Sequence, residues 1–296
     1  RVLTVGESSR VEQDTILYAH TRRIDFRTRV DWRERHTLLK ASFPTAVRPP
    51  TARSGIQYGW VDRPAHRNRE ADAAMFEIPA QGYTALTDAR RCVAVLSGEK
   101  YGYDVLDGRI RLSLLTAPTA PDETADNGVH EFTYAFLATS QPFSAPTVMS
   151  QVAELAAPPV VRARWRSGSP GAPGSASAGE TAEEEGPAVG PAVGTALAAI
   201  DEDQVQLDWI KPAEDGRGIV VRLFETAGAP ASVTLRTAFS LDAVERTNLL
   251  EDAAADLPSD QAAPHAGDPR AVTVRLGPFE IVTLRLIPRN RSSRRD

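Results

Sequence analysis

The sequence predicts an all-β protein built from antiparallel β-sandwich modules. The clearest observation is residues 23–32, where apolar and charged residues alternate without a break. In an extended chain this alternation puts one apolar face against a core and one charged face outward, the pattern of a half-buried strand. The apolar face holds Ile24, Phe26, Thr28, Val30 and Trp32. The second observation is that helical periodicity is almost absent, which favours packed sheets.

Further strands are predicted along the first half of the chain. Each is a short period-two segment bounded by Gly, Pro, Asn or Asp. These segments are residues 55–61, 93–97, 109–115 and 131–136. We expect residues 1–156 to form one β-sandwich domain.

Residues 157–200 have a different composition. They contain Pro158-Pro159, a Gly/Ser/Pro run over 167–174 and an acidic cluster at 183–185. Such a segment cannot bury enough apolar surface to build a core. It is predicted to be a flexible linker.

Strand patterns resume after the linker and predict a smaller β-sandwich over residues 201–288. Its strands are expected at 205–209, 218–225, 232–236, 272–276 and 279–286. A hairpin-like turn is predicted at Gly277-Pro278, leading into the last strand, and a long surface loop is predicted over 251–270. Because Val220 and Phe224 lie on the opposite face from Ile219, Val221 and Leu223, this module is expected to dock against a neighbour. The basic segment 289–296 is expected to be a frayed tail.

The bulk composition excludes several classes of function. The 296 residues carry a formal net charge of -5 with acidic and basic residues interleaved, which argues against binding to nucleic acid or to an anionic membrane. The only cysteine, Cys92, cannot form an internal disulfide and is expected to be a small buried apolar residue. A cytoplasmic location is therefore expected. The chain opens with Arg1 rather than Met, so a fragment or a processed product is also expected.

Several long segments of the sequence resemble segments of one protein family. The resemblance begins at residues 23–44 and continues through most of the chain. The other segments that carry it are residues 58–68 (YGWVDRPAHRN), 74–81 (AMFEIPAQ), 100–105, 112–115, 117–122, 130–135, 211–216, 221–225 and 278–284. Together they look like the C-terminal β region of glycoside hydrolase family 38, the α-mannosidases.

The resemblance implies a fold and a partner. It implies that the first module is part of a galactose mutarotase-like supersandwich and that the second is the closing sandwich. The zinc site, the nucleophile and the acid of these mannosidases belong to an N-terminal catalytic domain, which would be the partner, in the same or a separate chain. This agrees with the residues themselves, because the five histidines are scattered without metal-ligand spacing. No catalytic residue is assigned.

Three positions depart from the family pattern. Ala71 stands where the family has a Trp, and Thr139-Ser140 replace a Pro-His pair. Thr116 stands where an Arg is expected. Related enzymes use an Arg from this region to reach the sugar, and threonine is too short and uncharged to replace it. The departures bear on whether an assembled enzyme is fully active.

Seven residues are candidate contacts to a mannose-containing oligosaccharide. They lie in a polar loop and in an aromatic segment: Arg63, His66, Asn68 and Asp72, and Tyr101, Tyr103 and Asp104. The alternatives are a solvated turn in which Asn68 hydrogen-bonds its own backbone, and a structural hairpin tip over 100–104. Trp32 and Trp209 are expected in the core rather than as sugar platforms.

Three functions are thus open. The first is the C-terminal domain of an α-mannosidase, which supports the catalytic domain and helps to form the sugar cleft. The second is a stand-alone carbohydrate-binding β-sandwich, and the third is a structural remnant without a ligand. An in-frame catalytic domain upstream of Arg1 would distinguish the first from the others.

Overall fold

A computed structural model describes residues 2–5, 8–157, 196–252, 262–265 and 267–289 of the chain. The described residues form four antiparallel sheets and two helices. This confirms the all-β prediction.

Residues 2–139 supply the two sheets of the first module. Sheet A has eight strands in the order β1-β2-β3-β12-β9-β8-β5-β6, and sheet B has four in the order β4-β11-β10-β7. In chain order the strands are β1 (Val2–Val5), β2 (Arg10–Leu17), β3 (Arg23–Trp32), β4 (Leu38–Pro44), β5 (Thr51–Ile56), β6 (Gly59–Pro64), β7 (Ile78–Pro79), β8 (Gly82–Thr87), β9 (Cys92–Ser97), β10 (Gly102–Leu106), β11 (Arg109–Thr116) and β12 (Gly128–Thr139).

The main core of this module lies between sheets A and B. Sheet A contributes Val30 and Trp32 from β3, and sheet B contributes Ile110 and Leu112 from β11. Trp32 is 4% exposed, so its predicted core position is confirmed. The alternation along β3 is confirmed as well, because Phe26, Val30 and Trp32 lie in or against this core.

A helix that the sequence analysis did not predict covers the other face of sheet A. Helix α2 (Ala145–Ala156) begins at Ser144, whose side chain accepts the Thr147 N–H, and packs Val148 against β8, β9 and β12. Under this helix, the side chains of Arg23 and Asp25 form a buried ion pair at 2.7 Å. The charged face of β3 is therefore not wholly solvated. A shorter helix, α1 (Glu70–Ala74), follows β6.

The second module is a sandwich of two four-stranded sheets. Its core includes Leu223 and Leu284 of sheet D and Leu235 and Val272 of sheet C. Sheet C has the order β13-β16-β19-β18, and sheet D has the order β14-β15-β20-β17. The strands are β13 (Ala198–Ile200), β14 (Val205–Pro212), β15 (Ile219–Glu225), β16 (Ala231–Thr237), β17 (Leu241–Thr247), β18 (Ala262–Pro264), β19 (Ala271–Leu276) and β20 (Ile281–Pro288).

One predicted strand was wrong, and one predicted turn joins strands of different sheets. Residues 55–61 are not one strand, because Gln57 and Tyr58 form the two-residue turn of the β5–β6 hairpin, with Ile56 opposite Gly59. At Gly277-Pro278 the chain does turn, and the Glu280 N–H donates to the Gly277 carbonyl at 3.2 Å. That turn carries the chain from sheet C to sheet D, so it does not close a hairpin.

Trp209 does not lie in the core. Leu207 pairs with Leu223, but Trp209 pairs with Arg222, so Asp208 is an extra residue in the register of β14. A bulge of this kind reverses which face the following side chains occupy. The half-buried Trp209 ring therefore lies under the Arg222 guanidinium, whose carbon is 4.5 Å from the ring centroid. The core prediction for Trp209 was wrong.

The two outward apolar residues of β15, Val220 and Phe224, are shielded from solvent by different parts of the chain. The Phe224 ring meets the Tyr58 ring of the first module edge-on, with centroids 5.1 Å apart. Val220, which is fully buried, lies between Lys211 and Arg285 on the neighbouring strands. The loop residue Glu251 joins those two cations, through its carboxylate to Lys211 and its carbonyl to Arg285. Phe224 thus packs on the first module, and Val220 lies beneath an ion-pair network of its own module.

Parts of the remaining predictions lie outside the described residues. This holds for 158–195 of the predicted linker and for 290–296 of the predicted tail. The last predicted linker residues, Ala198–Ile200, form β13. Within the expected loop 251–270, Ala262–Pro264 form β18, which pairs with β19.

Candidate functional site

A surface depression of about 590 Å³ brings together two of the candidate sugar contacts, Arg63 and Tyr101. Its volume falls within the range of small-molecule sites. The rest of the lining comes from the β5–β6 hairpin and from the segment after β7. These lining residues are Gly55, Ile56, Gln57, Pro79, Ala80 and Gln81.

Backbone hydrogen bonds hold the three segments of this depression together. The Gln81 N–H donates to the Gly55 carbonyl at 2.8 Å, and the Ala80 N–H donates to the Tyr101 carbonyl at 2.9 Å. Gly55 is required at the first contact, because a Cβ atom there would lie 2.2 Å from the Gln81 carbonyl oxygen. The depression is therefore part of the rigid sheet framework rather than of one loop.

The lining groups suit a neutral polyhydroxyl ligand. The Tyr101 ring is 56% exposed and offers an apolar face. The half-buried Arg63 side chain also lines the depression, and its guanidinium N–H groups are directional donors. The amide side chains of Gln57 and Gln81 are exposed and can both donate and accept. Sequence reasoning missed Gln57, although it occupies a hairpin turn.

Three other candidates, His66, Asn68 and Asp72, form a separate cluster after β6. The Asn68 backbone N–H donates to the His66 Nδ1 atom at 3.3 Å, so the ring, and not the Asn68 side chain, closes this turn. Asp72 accepts two hydrogen bonds from the Arg69 guanidinium, at 2.7 and 2.8 Å. These hydrogen bonds lower the pKa of Asp72 despite its burial. The carboxylate of Asp72 is thus occupied by Arg69.

The last two candidates, Tyr103 and Asp104, are buried. Tyr103 is fully buried in the core between sheets A and B, so it has no surface for a sugar and its prediction as a contact was wrong. Asp104 is 5% exposed and pairs with Arg111 at 2.5 Å and with Lys40 at 3.6 Å.

The alternative for residues 100–104 was also wrong. Strands β9 and β10 belong to different sheets, so this segment is a crossover and not a hairpin tip. The adjacent hairpin turn is Asp107-Gly108, between β10 and β11.

Comparison with known protein families identifies this architecture. Residues 1–124 match the glycosyl hydrolases family 38 C-terminal domain. Residues 204–284 match the glycosyl hydrolases family 38 C-terminal beta sandwich domain. The two matched segments together make up more than half of the chain. The chain belongs to the C-terminal β region of glycosyl hydrolase family 38.

Curated relatives of this family 38 region are α-mannosidases. Alpha-mannosidase G of Dictyostelium discoideum is 29% identical over 277 residues, which are 94% of this chain and 23% of that protein. Alpha-mannosidase 2C1 of Mus musculus is 32% identical over 253 residues, which are 84% of this chain and 22% of that protein. The chain thus spans about a quarter of the length of the relatives it matches.

The fold also recurs in solved family 38 structures. An α-mannosidase from Enterococcus faecalis V583 superposes with a TM-score of 0.68 at 16% identity, over 94% of this chain and 29% of that one. A second Enterococcus faecalis structure, of a family 38 protein, gives a TM-score of 0.66. At this level of identity the likeness concerns the fold alone.

The structure also places the three departures from the family pattern. Ala71 lies exposed on α1, close to the His66 and Asp72 cluster. Thr116 ends β11, and its backbone N–H donates to Asp126 Oδ2 at 2.9 Å. Thr139 ends β12, where its hydroxyl donates to the Gln141 carbonyl at 2.8 Å. None of the three lines the depression.

The zinc implied by the resemblance does not fit the described part of this chain. Within it, no three side chains of His, Cys, Asp or Glu lie close enough together to hold a metal ion. Structural and catalytic zinc sites need three or four such ligands. No chemical step through a metal can therefore be assigned to these residues. In the same part of the chain, no helix is long and apolar enough to cross a membrane.

Proposed function

We propose that this chain is the C-terminal β region of an α-mannosidase that removes terminal α-mannosyl residues from oligosaccharides. An N-terminal catalytic domain would supply the zinc, the nucleophile and the acid, and this region would support that domain. The proposal is supported by the α-mannosidases that match most of the chain while extending well beyond it. We also propose a reducing, cytoplasmic location, because the single cysteine of the chain, Cys92, cannot form an internal disulfide.

The carboxylates of the described residues support a non-catalytic role. Glycoside hydrolysis needs two carboxyl groups that face each other across the scissile bond and are free to exchange protons. Glu77 and Asp104 share a patch on sheet B, but Lys40 contacts both and Arg111 contacts Asp104. Both carboxylates are therefore held in ion pairs with cations, which supports a structural role for them.

We place the sugar contact of this region in the depression lined by Arg63 and Tyr101. The observation that carries this proposal is that the exposed Tyr101 ring and the guanidinium side chain of Arg63 line the same depression. Because the described residues form this depression without a second chain, a stand-alone carbohydrate-binding β-sandwich is the second candidate function.

Titration of the purified chain tests the sugar contact. Methyl α-mannoside and an α-linked mannobiose are added, and binding is followed by saturation-transfer NMR. We expect the wild type to bind and Tyr101→Ala to lower the affinity about fivefold, since an aromatic contact contributes about 1 kcal/mol. Arg63→Ala should weaken binding too, because it removes the directional donor.

Tyr18→Ala and Arg109→Ala serve as matched controls, because neither side chain lines the depression. Both are expected to bind like the wild type. If the wild type does not bind either mannoside, the proposed sugar contact is wrong, and only the role of supporting the catalytic domain is left.

A further inference from the structure

The second module touches the same hairpin that forms one wall of the depression. Gly55, Ile56 and Gln57 face the depression. The next residues of the β5–β6 hairpin, Tyr58 to Trp60, contact the second module. The Tyr58 hydroxyl donates to Asp208 Oδ2 at 3.0 Å, and the Trp60 indole N–H donates to the Thr226 carbonyl at 3.2 Å.

Phe279 is the centre of this contact. Its ring meets the Trp60 ring edge-on, with centroids 5.7 Å apart. It also lies between two glycines, one from each module. A Cβ atom on Gly59 would lie 3.2 Å from the Phe279 ring, and one on Gly228 would lie 2.7 Å from it. The ring is therefore closely packed on both sides: a side chain at position 228 would overlap it, and one at position 59 would crowd it.

The backbone around Phe279 is held in a costly conformation. Its φ angle is 55°, which is uncommon for an aromatic residue. Glu225, which is fully buried, fixes this conformation by accepting the N–H groups of Phe279 and Gly228, both at 2.8 Å. The same carboxylate accepts the Ala227 N–H at 2.6 Å and the Gln204 side-chain amide at 3.0 Å. The Glu225 network therefore holds Phe279 in a conformation that an aromatic residue rarely adopts.

We propose that Phe279 is a positioning residue, through which the second module holds the β5–β6 hairpin in the shape that the depression requires. Because Tyr58 to Trp60 continue directly from Gln57, loss of the ring contact frees the hairpin tip and the wall that it forms. The sugar part of this inference rests on the proposed function, whereas the mechanical part concerns contacts within the chain.

The decisive variant is Phe279→Gly. Glycine adopts a positive φ angle without strain, so this change deletes the ring and preserves the turn. Hydrogen–deuterium exchange of the whole chain is measured under native conditions and read on peptides that cover residues 55–60. We expect the exchange rate of the amides in these peptides to rise about fivefold or more, because one aromatic contact to the hairpin is lost.

Phe239→Ala is the matched control. Phe239 packs on the core of the second module, so its truncation weakens that module without removing a hairpin contact. The expected result is unchanged exchange over residues 55–60. Equal increases in both variants, or no increase in Phe279→Gly, would overturn the proposal.

Mannoside titration of the same variants completes the test. If the wild type binds methyl α-mannoside, Phe279→Gly should bind it at least about threefold more weakly and Phe239→Ala should bind it normally. Unchanged affinity in Phe279→Gly would overturn the positioning role. A wild type that binds no mannoside would refute the sugar site, and the exchange result would still decide whether Phe279 positions the hairpin.

Discussion

Glu225 illustrates how a single buried charge organises two loops. Burial by itself would raise the pKa of this carboxyl group, but the N–H donors of Phe279, Gln204, Ala227 and Gly228 outweigh burial, so the pKa of Glu225 lies below its usual value. A lowered pKa in the folded state means that folding favours the ionised form. The stability that results is present above the pKa of the unfolded carboxyl, about 4.3, and is lost as the pH falls through the folded pKa.

The residue-scale prediction is that Glu225→Gln destabilises the chain near neutral pH and reduces its sensitivity to acid. The amide keeps one acceptor and turns an NH2 group toward backbone donors, which costs about 2–3 kcal/mol. Urea unfolding from pH 7 to about pH 3 should show the gap between wild type and variant narrowing as Glu225 becomes protonated. Asp215 and Glu251, whose pKa values are also lowered, stay in both proteins and cancel in the difference.

Glu131→Gln is the control for this measurement. Glu131 is exposed and pairs with Arg29 at 3.0 Å on the surface of sheet A, so its removal should change stability by about 0.5 kcal/mol or less. A gap between wild type and Glu225→Gln that stays constant with pH would contradict the assignment.

The burial of a residue could be predicted from the sequence where the alternation along its own strand determines it. The core position of Trp32 follows from the alternation along β3 and was confirmed. Tyr103 could not be separated from Tyr101 in this way, because an exposed and a buried tyrosine two residues apart share one parity. What separates them is the start of β10 at Gly102, which puts Tyr101 outside the strand and Tyr103 within sheet B.

At the scale of elements, strands were predicted better than their partners. The Asp107-Gly108 turn carries the positive φ angles that two-residue hairpins need, and the Asp-Gly pair is a sequence signal for such a turn. Helix α2 also left a signal, since Val148, Val152 and Leu155 recur at helical spacing after Ser144. The bulge before Trp209 left none, because an extra residue shows only in the pairing with the next strand.

The element-scale prediction concerns the two outward apolar residues of β15, Phe224 and Val220. Double-mutant cycles in the full chain test whether each of them contacts the first module. Tyr58→Ala and Phe224→Ala should couple by about 0.5–1.5 kcal/mol, because their rings are in contact across the modules. Tyr58→Ala and Val220→Ala should be additive, although Val220→Ala alone costs about 2 kcal/mol by leaving a cavity under Lys211 and Arg285. The measurement is the free energy of unfolding of each single and double variant.

Coupling between Tyr58 and Val220 of the same size would show that the first module also covers Val220. That result would restore docking as the reason for both outward apolar residues of β15. Additivity in both cycles would instead show that the Tyr58 and Phe224 rings contribute no contact energy in solution.

At the scale of the whole molecule, the sequence predicts two β modules but not how they meet. The contact depends on Tyr58 and Trp60 from one module and on Phe224 and Phe279 from the other. The depression has the same property, because its lining comes from three segments that only the tertiary fold joins. The resemblance to a family predicts the fold of each module. The contact between the modules and the lining of the depression follow only from the three-dimensional structure.

The whole-molecule prediction is that the purified chain hydrolyses no α-mannoside. The carboxylates Asp72, Glu77 and Asp104 are each engaged by cations, so they do not form the facing nucleophile and acid that glycoside cleavage requires. Among the described residues, no three side chains of His, Cys, Asp or Glu lie close enough together to hold a metal ion. An aryl α-mannoside is incubated with the chain in buffer alone, with zinc and with cobalt, and release of the aryl alcohol is followed. A full-length α-mannosidase of family 38 is the positive control. Metal-dependent turnover by the chain alone, abolished by a chelator, would show that this region carries catalytic machinery of its own.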